Sequence, residues 1–363
     1  MHHAPRITLL VVLLLAFALR VYRLEGQSLW YDEAVTAHVA SQGISELTRW
    51  TADDIQPPLY YYVVAGWTWL AGRGEWALRF PSVCFSLLTV ALMWSLARRL
   101  FGAGRSGQMA GLVAALLAAI SPLYVYYAQE ARMYAQLTFL GALAGYALLK
   151  ATTDDGRRTT DERSRSSIVG RRSSVIWWLA FVLASVAALY THYFAAFLLL
   201  AYGVCVIQAC IPGLIRPESR GRAARQLAVF GGAALAIVIL YLPWLPAMLT
   251  RYRVDRSYWQ GALKLGEALR HVAVSFAAGA PETMLEADAV RLLPWYAVAF
   301  ALAVAALVWS GLRGRKGERE RGSRGEACRT RSGPSSTCLP VYSSPSLPSS
   351  PWPLARRSST RAI

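Results

Sequence analysis

Apolar residues fall in long, nearly unbroken runs along this chain, with polar residues gathered between them. Positions 7–19 are apolar throughout except for Thr8. Similar runs cover 83–96, 111–127, 137–149, 176–190, 195–211, 227–249 and 292–312. A helix needs about 20 mostly apolar residues to cross the hydrocarbon of a bilayer, and several runs reach that length only with their flanks. The pattern predicts an all-α fold, a polytopic transmembrane helical bundle of eight spans.

The polar stretches orient the bundle. Basic residues form four groups: Arg98, Arg99 and Arg105; the stretch 150–172; Arg216, Arg220, Arg222 and Arg225; and everything from Arg313 onward. Lys and Arg favour cytoplasmic loops. All four groups can be cytoplasmic only if 57–72, PPLYYYVVAGWTWLAG, does not cross. Its apolar part is about 14 residues long, which suits a re-entrant or interfacial segment, and its Tyr and Trp suit the headgroup boundary. Residues 25–79 are therefore expected outside, with 33–49 supplying amphipathic helices that lie on the membrane. The turns near 127–134 and 191–193 and the loop 251–291 are expected on the same side.

Residues 1–312 make up the predicted membrane domain. Within it 151–174, rich in Arg, Ser, Thr and Asp, reads as a disordered cytoplasmic linker. Residues 313–363, rich in Arg, Gly, Ser and Pro, read as a disordered basic tail. The first span has signal-like features, namely Arg6, an apolar core and Ala16-x-Ala18. With or without cleavage the chain emerges outside.

Composition supports this picture. The chain is 55% hydrophobic and 16% charged, against about 25% charged in soluble domains. The net charge of +17 would suggest nucleic acid in a soluble protein. Here the charge lies between spans, so orientation explains it and no nucleic-acid partner is expected. The five cysteines show no spacing typical of zinc ligands or a disulfide framework.

Chemistry is expected in the external loops. Asp32 and Glu33 closely follow the first span; Arg79 comes later, and Glu130, Arg132 and Tyr134 follow the third span. His192 sits at the end of the fifth. Each has a plainer explanation. Asp32 and Glu33 suit a helix N-terminus. Glu130 and Arg132 can form an exposed ion pair worth little, and His192 can be a hydrogen-bonded interfacial histidine. Against the plain reading, charges so close to hydrocarbon are costly unless paired or facing a cavity.

Six motifs in order carry a resemblance: SLWYDEAVT (28–36), QPPLYYYV (56–63), GEWALRFPSV (74–83), LARRLFG (96–102), SPLYVYYAQEARMYAQLT (121–138) and YTHYFAAFLLLA (190–201). Together they resemble the GT-C class of membrane glycosyltransferases. The similar branch includes protein O-mannosyltransferases, the lipid A aminoarabinose transferase and bacterial relatives of the RgtA/B/C/D type.

The resemblance implies transfer of a sugar, mannose-like or other, from a polyprenyl-phosphate carrier to an extracytoplasmic acceptor, with inversion. The acceptor can be a protein, a lipid or a glycan. It implies the cell (plasma) membrane as the location and Asp32 as general base, with Glu33 the neighbouring acid. Arg79 and Arg132 are the expected binders of the donor phosphate, with Arg251, Arg253 and Arg256 in reserve. Glu130, Tyr134 and His192 are supporting residues. Several members use a divalent cation, Mg or Mn, and others do not; Asp32 and Glu130 are its candidate ligands here. Family members commonly continue for more spans, so a non-catalytic scaffold is an alternative. A transporter is a weaker one, because the spans carry almost no charge.

Overall fold

The computed structural model describes residues 4–102, 104–157, 167–254 and 265–278, and isolated positions between 291 and 302. Among the described residues every regular element is a helix. In chain order these are α1 (Ala4–Val21), α2 (Tyr31–Ala40), α3 (Ile44–Ala52), α4 (Leu59–Ala71), α5 (Glu75–Phe101), α6 (Arg105–Ile120) and α7 (Pro122–Ala128). There follow α8 (Tyr134–Arg157), α9 (Ser167–Leu189), α10 (Ala195–Ile215), α11 (Pro217–Tyr241), α12 (Leu245–Val254) and α13 (Leu265–Ala278). All belong to one compact unit, Met1–Tyr296; a second unit, Ala297–Ile363, lies almost wholly outside the described residues.

Three helices, α5, α10 and α11, are long and apolar enough to cross a membrane, and α6 with α7 makes a fourth if that bent pair is one span. Helices α1, α8 and α9 occupy three more of the apolar runs. The last run, 292–312, and the tail 313–363 lie largely outside the described residues, so these helices do not establish a count of eight.

Proline sets two breaks that run length does not reveal. The run 111–127 splits at Ser121, where α6 and α7 meet at 57°. Pro122 disfavours helical backbone in the residue before it, and Ser121 turns to ψ 121°. The run 227–249 splits at 242–244 around Pro243, between α11 and α12. Around the expected linker 151–174, α8 is described to Arg157 and α9 from Ser167, and the positions between them lie outside the described residues.

Small residues make the close packing between helices. Gly111 of α6 lies where a Cβ would come within 2.7–2.9 Å of Arg98 and Trp94 of α5. Ala115, Ala118 and Ala119 continue that seam, and Ala144, Ala147, Ala184 and Ala188 make another between α8 and α9. With no hydrophobic drive between helices in lipid, such close approach supplies the attraction.

Helices α2, α3 and α4 form a short-helix layer between α1 and α5. Thirteen residues of α4 rise only about 20 Å, short of the ~30 Å hydrocarbon thickness. Its aromatics are not all boundary anchors. Tyr60, Val64 and Thr68, one turn apart, are buried with Tyr61, while Trp69 and Leu70 are exposed.

An arginine inside the bundle fixes the bent pair. Arg20 of α1 is fully buried. It donates from Nε to Ser86 Oγ (2.8 Å), from Nη1 to the carbonyls of Ala16 (3.0 Å) and Ala119 (2.9 Å), and from Nη2 to that of Ala118 (3.1 Å). The last two lie in the final turn of α6, the negative end of its dipole. Ser86 Oγ in turn donates to Tyr124 O in α7 (3.3 Å). Gln129 returns the contact: its Nε2 lies 2.8 Å from Tyr22 O and 3.2 Å from Arg20 O at the end of α1. The loop after α7 is thereby tied to the start of the short-helix layer.

Candidate active site

Three chain segments build the site: the start of α2, the turn 129–133 after α7, and the turn 190–194 after α9. The two neighbouring acids of α2 face different partners. Consecutive helix positions differ by roughly 100°, so one side chain turns inward while the other does not.

Glu33 is the inward one, with no exposed surface. Its carboxylate accepts from Arg79 Nε (2.8 Å) and Nη2 (2.6 Å) and from the Ala131 amide (2.7 Å). Arg79 Nη1 donates to the carbonyls of Leu24 (2.6 Å) and Gln27 (2.9 Å), and Nη2 reaches Ser28 O at 3.5 Å. A guanidinium has five N–H donors, and all five of Arg79 are engaged.

Asp32 is one-third exposed, and its Oδ2 pairs with Arg132 Nη2 at 3.1 Å. Arg132 itself is buried, and its Nε has no hydrogen-bond partner. Burial opposes its charge, but Tyr61, Asp32 and Tyr134 outweigh that, and the net shift is upward. The Tyr134 ring lies 5.9 Å from its guanidinium carbon. Buried polar groups without partners are uncommon in native proteins.

The Tyr60 hydroxyl meets Ser82 Oγ (3.0 Å), and Ser82 Oγ reaches the Arg132 carbonyl (3.2 Å), so α4 and α5 both hold the Arg132 backbone. Burial pushes the Tyr60 and Tyr61 phenols up, and Tyr61 faces Arg132. The third segment is docked by Leu59 N to Tyr190 O (3.0 Å) and Gln136 Nε2 to Thr191 Oγ1 (2.9 Å). His192 packs 6.2 Å from Tyr134 between ring centres. Its Nδ1 accepts from the Phe194 amide (3.1 Å). Burial, then the positive Arg132, lowers its pKa. The neutral ring therefore carries its proton on Nε2.

Asp32, Arg132, Tyr134 and His192 thus share one neighbourhood. Glu33 and Arg79 form a closed pair beside it, and Glu130 lines a cavity with that pair. Tyr61 and Gln136 were not expected. Tyr61 lies in QPPLYYYV, where its aromatic neighbours resemble membrane anchors; only burial separates it from them.

No group of three or more His, Cys, Asp or Glu able to hold a cation occurs among the described residues. Asp32, a candidate ligand, is held by Arg132.

The fold is that of a helical membrane protein. Residues 55–159 match the family described as dolichyl-phosphate-mannose-protein mannosyltransferase. This match, under a third of the chain, supports membership of the GT-C class that the motifs resemble. It contains Arg79, Glu130, Arg132 and Tyr134 and leaves Asp32, Glu33 and His192 outside. No curated protein matches the chain significantly. Among solved structures, the S. cerevisiae protein O-mannosyltransferase Pmt1-Pmt2 complex bound to the sugar donor is similar, at 17% identity and a TM-score of 0.46. The alignment covers 68% of this chain and 34% of that one, so the chain spans about a third of the length of the yeast protein.

Proposed function

We propose that this chain is a membrane glycosyltransferase that moves a sugar from a polyprenyl-phosphate carrier to an acceptor hydroxyl, with Asp32 as general base. The observation that carries the reading is the division of labour between the two acids. Glu33 has no exposure and three hydrogen bonds, whereas Asp32 is one-third exposed with one charged partner.

A hydroxyl is a weak nucleophile at neutral pH and gains from a positioned carboxylate. In the proposed step Asp32 takes the acceptor proton as the acceptor oxygen bonds to the anomeric carbon. The bond from that carbon to the phosphate oxygen breaks on the opposite face, and the configuration inverts. The lipid phosphate leaves with its electron pair. Arg132, buried, cationic and with Nε unpartnered, is assigned to the phosphate, since an arginine fork suits phosphate oxygens. Arg79 has no spare donor, so its assigned role is to hold Glu33 and, through it, the Ala131 amide next to Arg132. Neutral His192 offers a hydrogen bond from Nε2 without adding charge. No step is routed through a metal.

The family description favours a mannosyl group. The geometry of α5 supports the side of transfer proposed here. Arg79 and Arg98 are 19 positions apart on one helix, roughly 28 Å along its axis. The site and the basic α5–α6 loop are therefore at opposite ends of α5, and the positive-inside rule supports a site outside the cytoplasm.

The test is transfer of radiolabelled mannose from synthetic polyprenyl-phosphate mannose, comparing wild type with Asp32→Asn at equal expression. Loss of transfer in the variant supports the reading. Equal transfer removes Asp32 from the role of base.

A further inference from the structure

Beside the Asp32–Arg132 pair lies a half-open cavity of about 560 Å³, within the ~300–1,000 Å³ typical of small-molecule sites. The Glu33–Arg79 pair forms one wall, and Glu130 and Arg23 add a second acid and a second base. Asp32 and Arg132 are not among its lining residues. The two carboxylates and two guanidiniums of the wall cancel, so the lining has no net charge to draw in an anion. That separates it from any site for a lipid phosphate.

Three aromatic residues, Tyr22, Trp30 and Tyr126, line the cavity together with polar and small ones. Trp30, immediately before α2, is 47% exposed, and Tyr126 contributes from α7. Arg23, in the lining, has a left-handed backbone, φ 54°, the sole non-glycine residue with positive φ among those described. Non-glycine residues adopt this conformation at a cost and mostly where the surroundings require it. Flat aromatic surface beside charged groups that cancel suits a ring with apolar C–H faces and a rim of hydroxyls. Vicinal hydroxyls can donate to a carboxylate and accept from the Arg23 guanidinium, Arg79 having no spare donor, while the C–H face covers the indole.

We propose that this cavity is an acceptor subsite for a neutral sugar residue, next to the hydroxyl that Asp32 activates. The assignment rests on the glycosyltransferase reading and makes its acceptor a glycan. Binding remote from the reacting atoms positions the hydroxyl that reacts, so the subsite selects which acceptors are used.

The experiment uses the full chain in nanodiscs and saturation-transfer NMR, which needs no turnover. The probes are the methyl α-pyranosides of mannose, glucose and galactose, methyl glucuronide and a capped Ala-Thr-Ala peptide. At least one neutral glycoside is expected to bind, with no gain for the anionic glucuronide. Trp30→Ala should weaken that binding at least tenfold, and Trp30→Phe should restore most of it. Because Trp30 is exposed, its replacement leaves the core intact. Asp32→Asn should bind the glycoside as wild type does, even though it is expected to lose transfer. Binding of none of the neutral glycosides, binding unchanged in Trp30→Ala, or binding of the peptide alone overturns the proposal. A chain that binds the glycoside but transfers no sugar supports the subsite and counts against the enzyme reading instead.

Discussion

Arg79 grips Glu33 through two parallel hydrogen bonds of 2.8 and 2.6 Å, and its remaining donors end on backbone carbonyls just after α1. The pair ties α5 to the start of α2. Through the Ala131 amide it also fixes the turn that carries Arg132. A neighbouring acid and a neighbouring arginine, Asp32 and Arg132, are left to meet at the edge of this closed unit.

Breaking the pair on one side strands a buried charge. Glu33→Gln or Arg79→Met should destabilise the protein by about 3–5 kcal/mol, the range for removing one partner of a buried ion pair. The double replacement should lose less than the sum of the two. Thermal unfolding of the four purified proteins in one detergent measures this; strict additivity would mean the two side chains act independently.

Asp32→Asn should cost less stability. Asp32 is one-third exposed where Glu33 is fully buried, so the unfolding midpoint should move less than in Glu33→Gln even though buried Arg132 loses its partner. Transfer should fall roughly 10²–10⁴-fold, the usual contribution of a general base. A variant that unfolds early would assign Asp32 a structural role.

Arg132→Lys keeps the charge but removes the planar fork. Its expected effect is a raised KM for the lipid-phosphate donor with a smaller change for the acceptor, read from initial rates at varied donor. Arg79→Lys should lower the amount of folded protein without that selective change.

His192 gives stability a pH dependence whose sign is fixed. Its pKa is lowered in the fold, by burial first and by Arg132 second, from an ordinary 6.5. As pH falls through 6.5 the unfolded chain takes up the proton before the folded one does. The contribution of the neutral ring is therefore intact above 6.5 and is lost as pH drops towards the folded value. His192→Asn should flatten the fall in unfolding midpoint between about pH 7 and 5.

Arg20 is buried with only neutral partners, so Arg20→Met tests its hold on the bent pair. The change leaves the Ala118 and Ala119 carbonyls without that donor, at about 1–3 kcal/mol for unsatisfied buried groups. It should also loosen Gln129 from the end of α1. Disulfide trapping between Tyr22→Cys and Gln129→Cys should form more slowly in the Met background than in the wild-type one.

Much of this was legible from the chain alone. Run length and loop charge identify a helical membrane protein, because hydrocarbon thickness sets how long an apolar helix must be. The short 57–72 segment betrays its length in the same way. The acids of α2 and the residues of the 129–134 turn are visible as polar groups pressed against apolar runs, where charge is expensive without a purpose. The breaks at Ser121 and Pro243 were written in the prolines but hidden by the hydrophobicity around them.

Other features depend on neighbours distant in sequence. Whether Asp32 or Glu33 is the available carboxylate follows from what packs on each face of α2, and the arginine that closes over Glu33 comes from 46 positions away. Tyr61 and Trp69 read alike as aromatics on one short helix; one is fully buried and the other 84% exposed. The number of free donors on Arg79 is likewise a property of the carbonyls that surround it. Local composition decides which segments enter the membrane, since each helix satisfies its own backbone there. The contacts between segments decide which charges are closed off and which are left to act, since those charges find their partners only when the helices come together.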